Sequence, residues 1–182
     1  INAKKQDTIV DLCAGSGIVG ILAQAKTGAR KTILVEIQSQ LADMCERTIE
    51  YNNLTDAKVI NAPLQGIYLQ LGREKYGVVA CNPPYKKQDS SLINEKEEIA
   101  IAKHEITVKL EEIILEASRL LKFGGKFYIV NKEERLSDMI VLMRKYGIEP
   151  KRLKICPSNK GASVVLLEGI KGGKSGLKIL LK

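Results

Sequence analysis

The chain has 182 residues, of which 45% are hydrophobic, and carries a formal net charge of +8. A chain of this length buries about 70% of its unfolded surface, so we expect a single domain over residues 1–182. No run approaches the ~18 apolar residues that a membrane-spanning helix needs. The sequence also lacks the charged and then apolar segment that is typical of a secretory signal peptide. The four cysteines form no C-x-x-C pair and there is one histidine, which argues against zinc. We therefore expect a cytoplasmic protein with reduced thiols and no bound metal or membrane.

Short apolar runs alternate with stretches of helical periodicity, a pattern typical of a parallel sheet with helices on its faces. The predicted strands lie near 8–13, 31–36, 57–61, 76–81, 125–130, 153–156 and 162–167. The predicted helices lie near 17–26, 38–52, 104–122 and 133–146, and Gly124 and Gly125 are expected to end the third of them. The last two strands predict an antiparallel hairpin. The fold class is therefore α/β, a Rossmann-like doubly wound sheet of seven strands, mostly parallel.

The segment from Ile9 to Gly20 runs from an apolar strand through a glycine turn into an apolar helix. Gly15 and Gly17 let the backbone turn sharply beside a ligand, and the following helix directs its first amides into the same space. With Gly20 they form G-x-G-x-x-G, which fits a dinucleotide dehydrogenase equally well. Asp11, four residues before the first glycine, favours S-adenosylmethionine because an acid there can receive the ammonium group of this cofactor.

Glu36 ends the second predicted strand, nineteen residues after Gly17. In a doubly wound sheet, an acid at the tip of the second strand accepts the hydroxyls of a ribose. The spacing is the one expected for a strand-helix-strand unit. Glu36 is therefore predicted to bind the ribose of the cofactor. The alternative is that Glu36 is a solvated acid in a loop and has no ligand.

The run Asn82, Pro83, Pro84 and Tyr85 follows the apolar strand near 76–81. The exocyclic nitrogen of adenine shares its lone pair with the ring, so methylating it requires neutral acceptors that hold both N–H bonds. Asn82 Oδ1 and the Pro83 carbonyl are predicted to be these acceptors, held rigid by the two prolines. Tyr85 offers a flat face on which the base stacks. A plain strand-ending turn is the other interpretation.

These motifs together resemble the class I methyltransferases that modify exocyclic amines. Matching segments narrow the resemblance to the bacterial tRNA adenine-N6 methyltransferases that act on the adenosine 3′ of the anticodon in a valine tRNA. The matching segments are Val35–Gln38, Leu41–Met44, Cys81–Tyr85, Lys103–Glu105 and Met143–Arg152. The resemblance implies a class I methyltransferase fold, S-adenosylmethionine as the cofactor and tRNA as the partner.

The resemblance also assigns cofactor contacts to Cys13, Ser16, Ile37 and Pro63, beside Asp11, Gly15, Gly17, Glu36 and Asn82. Two departures from the family pattern stand out. Family members usually carry an acid for the adenine amine of the cofactor after the third strand, where this chain has Pro63. The chain also begins with Ile1, whereas the resembling proteins carry an aromatic N-terminal segment, so we expect a trimmed fragment.

The positive charge is concentrated at the C-terminal end, since residues 150–182 carry +7 of the total of +8. Clustered bases suit a phosphate backbone, because each neutralised phosphate releases condensed counterions. Lys151 and Arg152 are predicted to contact nucleic acid. The alternative is that the basic C-terminal end is a solvated tail that adds only solubility. Lys86 and Lys87, next to Tyr85, are predicted to hold the phosphates that flank the target base.

The sequence therefore predicts N6-methylation of an adenine in tRNA. One alternative is methylation of a glutamine amide in release factors, because the same turn holds any planar amide nitrogen. The other is a non-catalytic RNA-binding module with a methyltransferase fold.

Overall fold

The computed structural model describes residues 1–84, 109–158 and 161–180. Its strands are β1 (Thr8–Leu12), β2 (Lys31–Glu36), β3 (Ala57–Asn61), β4 (Tyr76–Cys81), β5 (Leu121–Lys132), β6 (Ile148–Ser158), β7 (Gly161–Lys171) and β8 (Lys178–Leu180). Its helices are α1 (Ile18–Thr27), α2 (Ser39–Tyr51), α3 (Ile67–Leu71), α4 (Leu110–Leu120) and α5 (Leu136–Lys145), with a 3₁₀ turn at Glu133–Arg135.

The strands form one mixed sheet in the order β3-β2-β1-β4-β5-β7-β6-β8. Neighbours from β3 to β5 are parallel, whereas β7 is antiparallel to both β5 and β6. The strand order reverses between β1 and β4. In open α/β sheets such a reversal opens a crevice at the carboxyl ends of the strands, where ligands bind.

The two faces of the sheet are covered differently. One face of β5 and β7 presents Phe127, Ile129 and Leu167, which join the main core with residues of α4 and α5. The helix α4 is amphipathic and buries Ile113, Ile114, Ala117 and Leu120 on that side. The alternate residues of β5 and β7 point to the opposite face. On that face Tyr128 and Val130 are half-buried and Leu166 is 39% exposed.

The fold class and the antiparallel hairpin are confirmed, but the described sheet has eight strands rather than seven. The additional strand, β8, pairs in parallel with β6 through Arg152 and Lys178. It lies in the glycine- and lysine-rich end of the chain. Three residues at a sheet edge have too little apolar alternation to be recognised from sequence.

The boundary between α4 and β5 also differs from the prediction. The helix ends at Leu120 and the strand begins at Leu121, so Gly124 and Gly125 lie inside β5. Tyr76 pairs with Leu121 and Val78 pairs with Lys126, so the extra residues of β5 bulge between these two points. Gly124, at φ 77°, permits that bulge and does not end the helix. The short helix α3 was not predicted.

Within the described ranges, no helix is both long and apolar enough to cross a membrane.

Candidate active site at the strand edge

Three strands bring the predicted site residues to one edge of the sheet. The central strand β1 lies between β2 and β4, and Leu12 pairs with both Val35 and Cys81. Because all three strands are parallel, their carboxyl ends lie side by side. The loop after β1, Glu36 at the end of β2 and the turn that begins at Asn82 therefore share this edge.

The loop after β1 is built from left-handed backbone conformations. Cys13 has φ 57°, Gly15 has φ 57° and Gly17 has φ 79°. The turn is closed by a hydrogen bond that Gly17 N donates to Ala14 O at 2.8 Å. A Cβ atom built on Gly15 would meet no atom within 4 Å, so the space over its backbone is open to a ligand.

The other two glycines serve the packing of α1 on the sheet. A Cβ on Gly17 would lie 2.8 Å from Leu34 Cδ1, and one on Gly20 would lie 2.6 Å from Leu34 Cδ2. Both contacts are shorter than side chains tolerate. The G-x-G-x-x-G pattern thus combines one glycine beside open space with two that permit close helix-sheet contact.

Glu36 is nearly buried, with 4% of its surface exposed. Its Oε2 accepts a hydrogen bond from Gly15 N at 2.8 Å, and its Oε1 accepts one from Gln38 N at 2.9 Å. The carboxylate therefore fixes both the glycine loop and the entry to α2. An ionised carboxylate has about four acceptor positions, so two remain for the hydroxyls of a ligand.

Asp11 is buried directly beneath the loop, with 1% of its surface exposed. Its Oδ2 accepts a hydrogen bond from Gly20 N at 2.8 Å. Burial raises the pKa of Asp11 to about 7, the Gly20 hydrogen bond opposes the rise, and the charge of Glu36 adds to it. A cation placed beside Asp11 would favour its charged form.

The turn after β4 begins at a fully buried thiol. Burial and a hydrogen bond with Cys13 raise the pKa of Cys81 well above its ordinary value. Asn82 and Pro84 are exposed, whereas Pro83 is buried. Asn82 lines a cavity of about 550 Å³ that extends over β5, β7 and β6. Tyr85, Lys86 and Lys87 lie outside the described residues.

The remaining predicted cofactor contacts, Ser16, Ile37 and Pro63, are exposed. Each follows one of the strands β1, β2 and β3 in sequence. They are therefore accessible to a ligand at the carboxyl edge of the sheet.

The predicted nucleic-acid residues Lys151 and Arg152 have different partners. Lys151 Nζ donates a hydrogen bond to Lys174 O at 2.9 Å, near the C-terminal end of the chain. Arg152 forms an ion pair with Glu168 and lines the same cavity as Asn82. The two side chains therefore do not act as one pair of free cations.

Asn61 is a site residue that the sequence analysis did not single out. Its Nδ2 donates hydrogen bonds to Glu36 O at 2.8 Å and to Ile37 O at 3.0 Å. It therefore clamps the turn that carries Glu36. The available signal was its position at the end of the third strand, the same edge as Asp11 and Glu36.

In the described part of the chain, no group of three His, Cys, Asp or Glu side chains could hold a metal ion.

The chain resembles known methyltransferases in sequence and in structure. It is 24% identical over 150 residues to the tRNA1(Val) (adenine(37)-N6)-methyltransferase of Porphyromonas gingivalis, covering 79% of this chain and 57% of the relative. It is 26% identical over 132 residues to the release factor glutamine methyltransferase of Mycoplasma mycoides, covering 64% of this chain and 46% of the relative. The chain thus spans about half the length of these two relatives.

A solved structure with the same fold is the geranyl diphosphate C-methyltransferase of Streptomyces coelicolor in complex with Mg²⁺, geranyl diphosphate and S-adenosyl-L-homocysteine. It superposes with a TM-score of 0.68 at 14% identity, over 93% of this chain and 75% of that one. At this identity the likeness establishes the fold alone.

The sheet order and the structural neighbour define a class I methyltransferase fold. The model of the methyltransferase small domain family matches residues 1–147. The chain belongs to this family.

Proposed function

We propose that the protein uses S-adenosylmethionine to methylate N6 of an adenine in tRNA, at the adenosine 3′ of the anticodon in a valine tRNA. The observation that carries this proposal is the position of Asn82. It follows β4 at the same strand edge as the open space over Gly15 and the carboxylate of Glu36.

The described residues fit the cofactor. The uncovered backbone of Gly15 admits a close approach, and Glu36 keeps acceptor positions for the ribose hydroxyls. Asp11 supplies the negative charge for the ammonium group, and Cys13, Ser16, Ile37 and Pro63 complete the binding surface. The bound cofactor supplies an electrophilic methyl group on a sulfonium.

Asn82 and Pro83 position the amine. The Asn82 Oδ1 and the Pro83 carbonyl accept the two N–H groups of adenine and hold the nitrogen toward the cofactor loop. The contribution to rate is mainly alignment of the reacting atoms. A strong base is unnecessary, because the proton of the methylated amine leaves to water. In this proposal Tyr85 stacks on the base.

An unpaired adenine is the substrate that suits this site. Extruding a base from a loop costs less than flipping it from a duplex. The Porphyromonas relative supports tRNA as the partner, whereas the asparagine turn supports a planar amine or amide as the group that is methylated. In this proposal residues 1–182 form one methyltransferase domain that acts in the cytoplasm, where tRNA is modified.

Methyl transfer from labelled cofactor tests the proposal. The protein is incubated with unmodified tRNA and, separately, with a release factor, and the label in each macromolecule is counted. Label in tRNA that depends on Asn82 supports the proposal. Label in the release factor alone would assign the glutamine activity of the Mycoplasma relative, and cofactor binding that calorimetry cannot detect would favour a non-catalytic module.

A further inference from the structure

Cys45 is a fully buried residue of α2 that contacts the glycine loop. Its Sγ donates a hydrogen bond to Gly15 O at 3.1 Å. Gly15 is also the residue with open space over its backbone, since a Cβ atom there would meet nothing within 4 Å. A side chain of the second helix thus holds the loop from the protein interior, opposite the space that is open to a ligand.

The sulfur atom of Cys45 is closely packed. Cys45 forms a small core cluster with Ala14 and Leu34. A Cβ atom built on Gly17 would lie 3.0 Å from Cys45 Sγ, so glycine at this position leaves room for the sulfur. The close packing leaves the thiol little freedom to turn away from Gly15.

The thiol stays a hydrogen-bond donor throughout the physiological pH range. Burial raises the pKa of Cys45 to about 11, and the charge of Glu36 adds to the rise. A thiolate has no proton to donate to a carbonyl oxygen, so this environment preserves the contact with Gly15 O.

The two sides of Gly15 are held by different partners. Gly15 N donates a hydrogen bond at 2.8 Å to the Glu36 carboxylate at the end of β2, whereas Gly15 O accepts one from Cys45 on α2. The first bond fixes the peptide group before Gly15, and the second fixes the peptide group between Gly15 and Ser16. Removing the thiol would therefore release the second peptide group alone.

The direction of this second peptide group decides where the amide of Ser16 points. The peptide is trans, so its C=O and N–H point in opposite directions. Because Gly15 O points inward to Cys45, the Ser16 amide points outward from the loop. Ser16 is exposed, and the space over Gly15 is open. The amide thus presents a donor to an acceptor group on a bound ligand.

We propose that Cys45 is a positioning residue for the cofactor, whose hold on Gly15 O directs the Ser16 amide toward the ligand. This inference rests on the cofactor of the proposed function. S-adenosylmethionine carries a carboxylate beside its ammonium group, and a backbone amide is a suitable donor for that carboxylate. Cys45 acts through the loop and keeps this donor in place before the cofactor arrives, which lowers the ordering cost of binding.

The test compares three variants of α2. Cys45→Ala removes the donor, and Cys45→Ser keeps a donor at the same position. Ile49→Val is the matched control, because Ile49 packs against the same cluster one helical turn further along α2 and loses a group of similar size. Isothermal titration calorimetry with S-adenosylmethionine gives the affinity of each protein, and urea unfolding gives its stability.

We expect Cys45→Ala to weaken cofactor binding by about 5-fold, the scale of one lost hydrogen bond. Cys45→Ser and Ile49→Val should each stay within about 2-fold of the wild-type affinity. At saturating cofactor, kcat should be unchanged in all three variants, because the turn at Asn82 is not altered.

Nuclear magnetic resonance relaxation of the Ser16 amide provides a second measurement, which needs no cofactor. In the ligand-free protein we expect this amide to become more mobile on the picosecond-to-nanosecond timescale in Cys45→Ala and to stay rigid in Ile49→Val. A loss of packing alone would lower the stability of both variants and leave the mobility of the Ser16 amide unchanged.

Equal losses of affinity in Cys45→Ala and Ile49→Val would reduce the effect to packing and overturn the inference. An equal loss in Cys45→Ser, or wild-type affinity in Cys45→Ala, would also overturn it. If the wild-type protein binds the cofactor but methylates no tRNA, the proposed substrate fails, and the comparison of affinities still decides the role of Cys45. A wild-type protein that binds no S-adenosylmethionine would overturn both.

Discussion

The Glu36 carboxylate accepts a hydrogen bond from the Gly15 amide at 2.8 Å, and this contact joins the ends of β1 and β2. The same carboxylate accepts a hydrogen bond from Gln38 N, and Asn61 holds the backbone of its turn. A ligand that contacts Glu36 therefore also acts on the glycine loop. Cofactor binding should stabilise both segments together, since it favours the folded state by mass action.

The first prediction concerns the open space over Gly15. In Gly15→Ala the new methyl group occupies this space, and we expect cofactor affinity to fall by at least about 10-fold, or about 1.4 kcal/mol. Isothermal titration calorimetry with S-adenosylmethionine measures the change.

Gly28→Ala is the matched control. Gly28 also has a left-handed backbone, with φ 68°, and its Cβ would approach only Lys5, at 4.0 Å. Both variants therefore incur a similar backbone strain of about 1 kcal/mol. Cofactor affinity that falls equally in both would show that Gly15 acts on stability alone.

The second prediction concerns Gly20, which lies within α1. Replacing glycine by alanine in an open helix stabilises a protein by up to about 1 kcal/mol. At Gly20 the added Cβ would lie 2.6 Å from Leu34 Cδ2 and 3.0 Å from Thr32 Cγ2. We expect Gly20→Ala to lower the free energy of unfolding by about 1–3 kcal/mol. Urea unfolding that shows a gain in stability would contradict the close packing.

The third prediction concerns the buried carboxyl of Asp11, whose pKa is raised from 3.8 to about 7. Between these values the folded protein keeps a proton that the unfolded chain has released. The free energy of unfolding therefore falls as pH rises from about 4 to 7, and this contribution becomes constant above pH 7. Asp11→Asn keeps an acceptor for Gly20 N and carries no charge.

The measurement is the melting temperature of both proteins between pH 4 and 8. Other titrating groups are shared, so the difference between the two curves isolates Asp11. We expect the variant to become relatively more stable with rising pH. Parallel curves would mean that Asp11 is ionised throughout.

The fourth prediction separates two asparagines at the same strand edge. Asn82→Ala should reduce methyl transfer by at least about 100-fold while cofactor affinity stays near normal, because alignment of the amine is lost. Asn61→Ala should weaken cofactor binding, because Glu36 O and Ile37 O lose their donor. At saturating cofactor the rate of methyl transfer by Asn61→Ala should return to that of the wild-type protein. Substantial turnover by Asn82→Ala would show that Asn82 does not align the amine for methyl transfer.

The sequence was sufficient to predict the strand edge, because Asp11 and Glu36 lie at the carboxyl ends of apolar strands and Asn82 directly follows one. It could not distinguish the roles of the three glycines, since Gly17 and Gly20 pack against Leu34, a residue of the next strand. It also gave no sign of the hydrogen bond between Asp11 and Gly20, or of the ion pair between Arg152 and Glu168. These contacts depend on strand pairing and helix docking, which a single sequence does not encode as a local pattern.

The most direct test of the account is mass spectrometry of nucleosides from unmodified tRNA incubated with the protein and S-adenosylmethionine. The account predicts N6-methyladenosine that is present with the wild-type protein and nearly absent with Asn82→Ala. No N6-methyladenosine from a wild-type protein that binds the cofactor would contradict it.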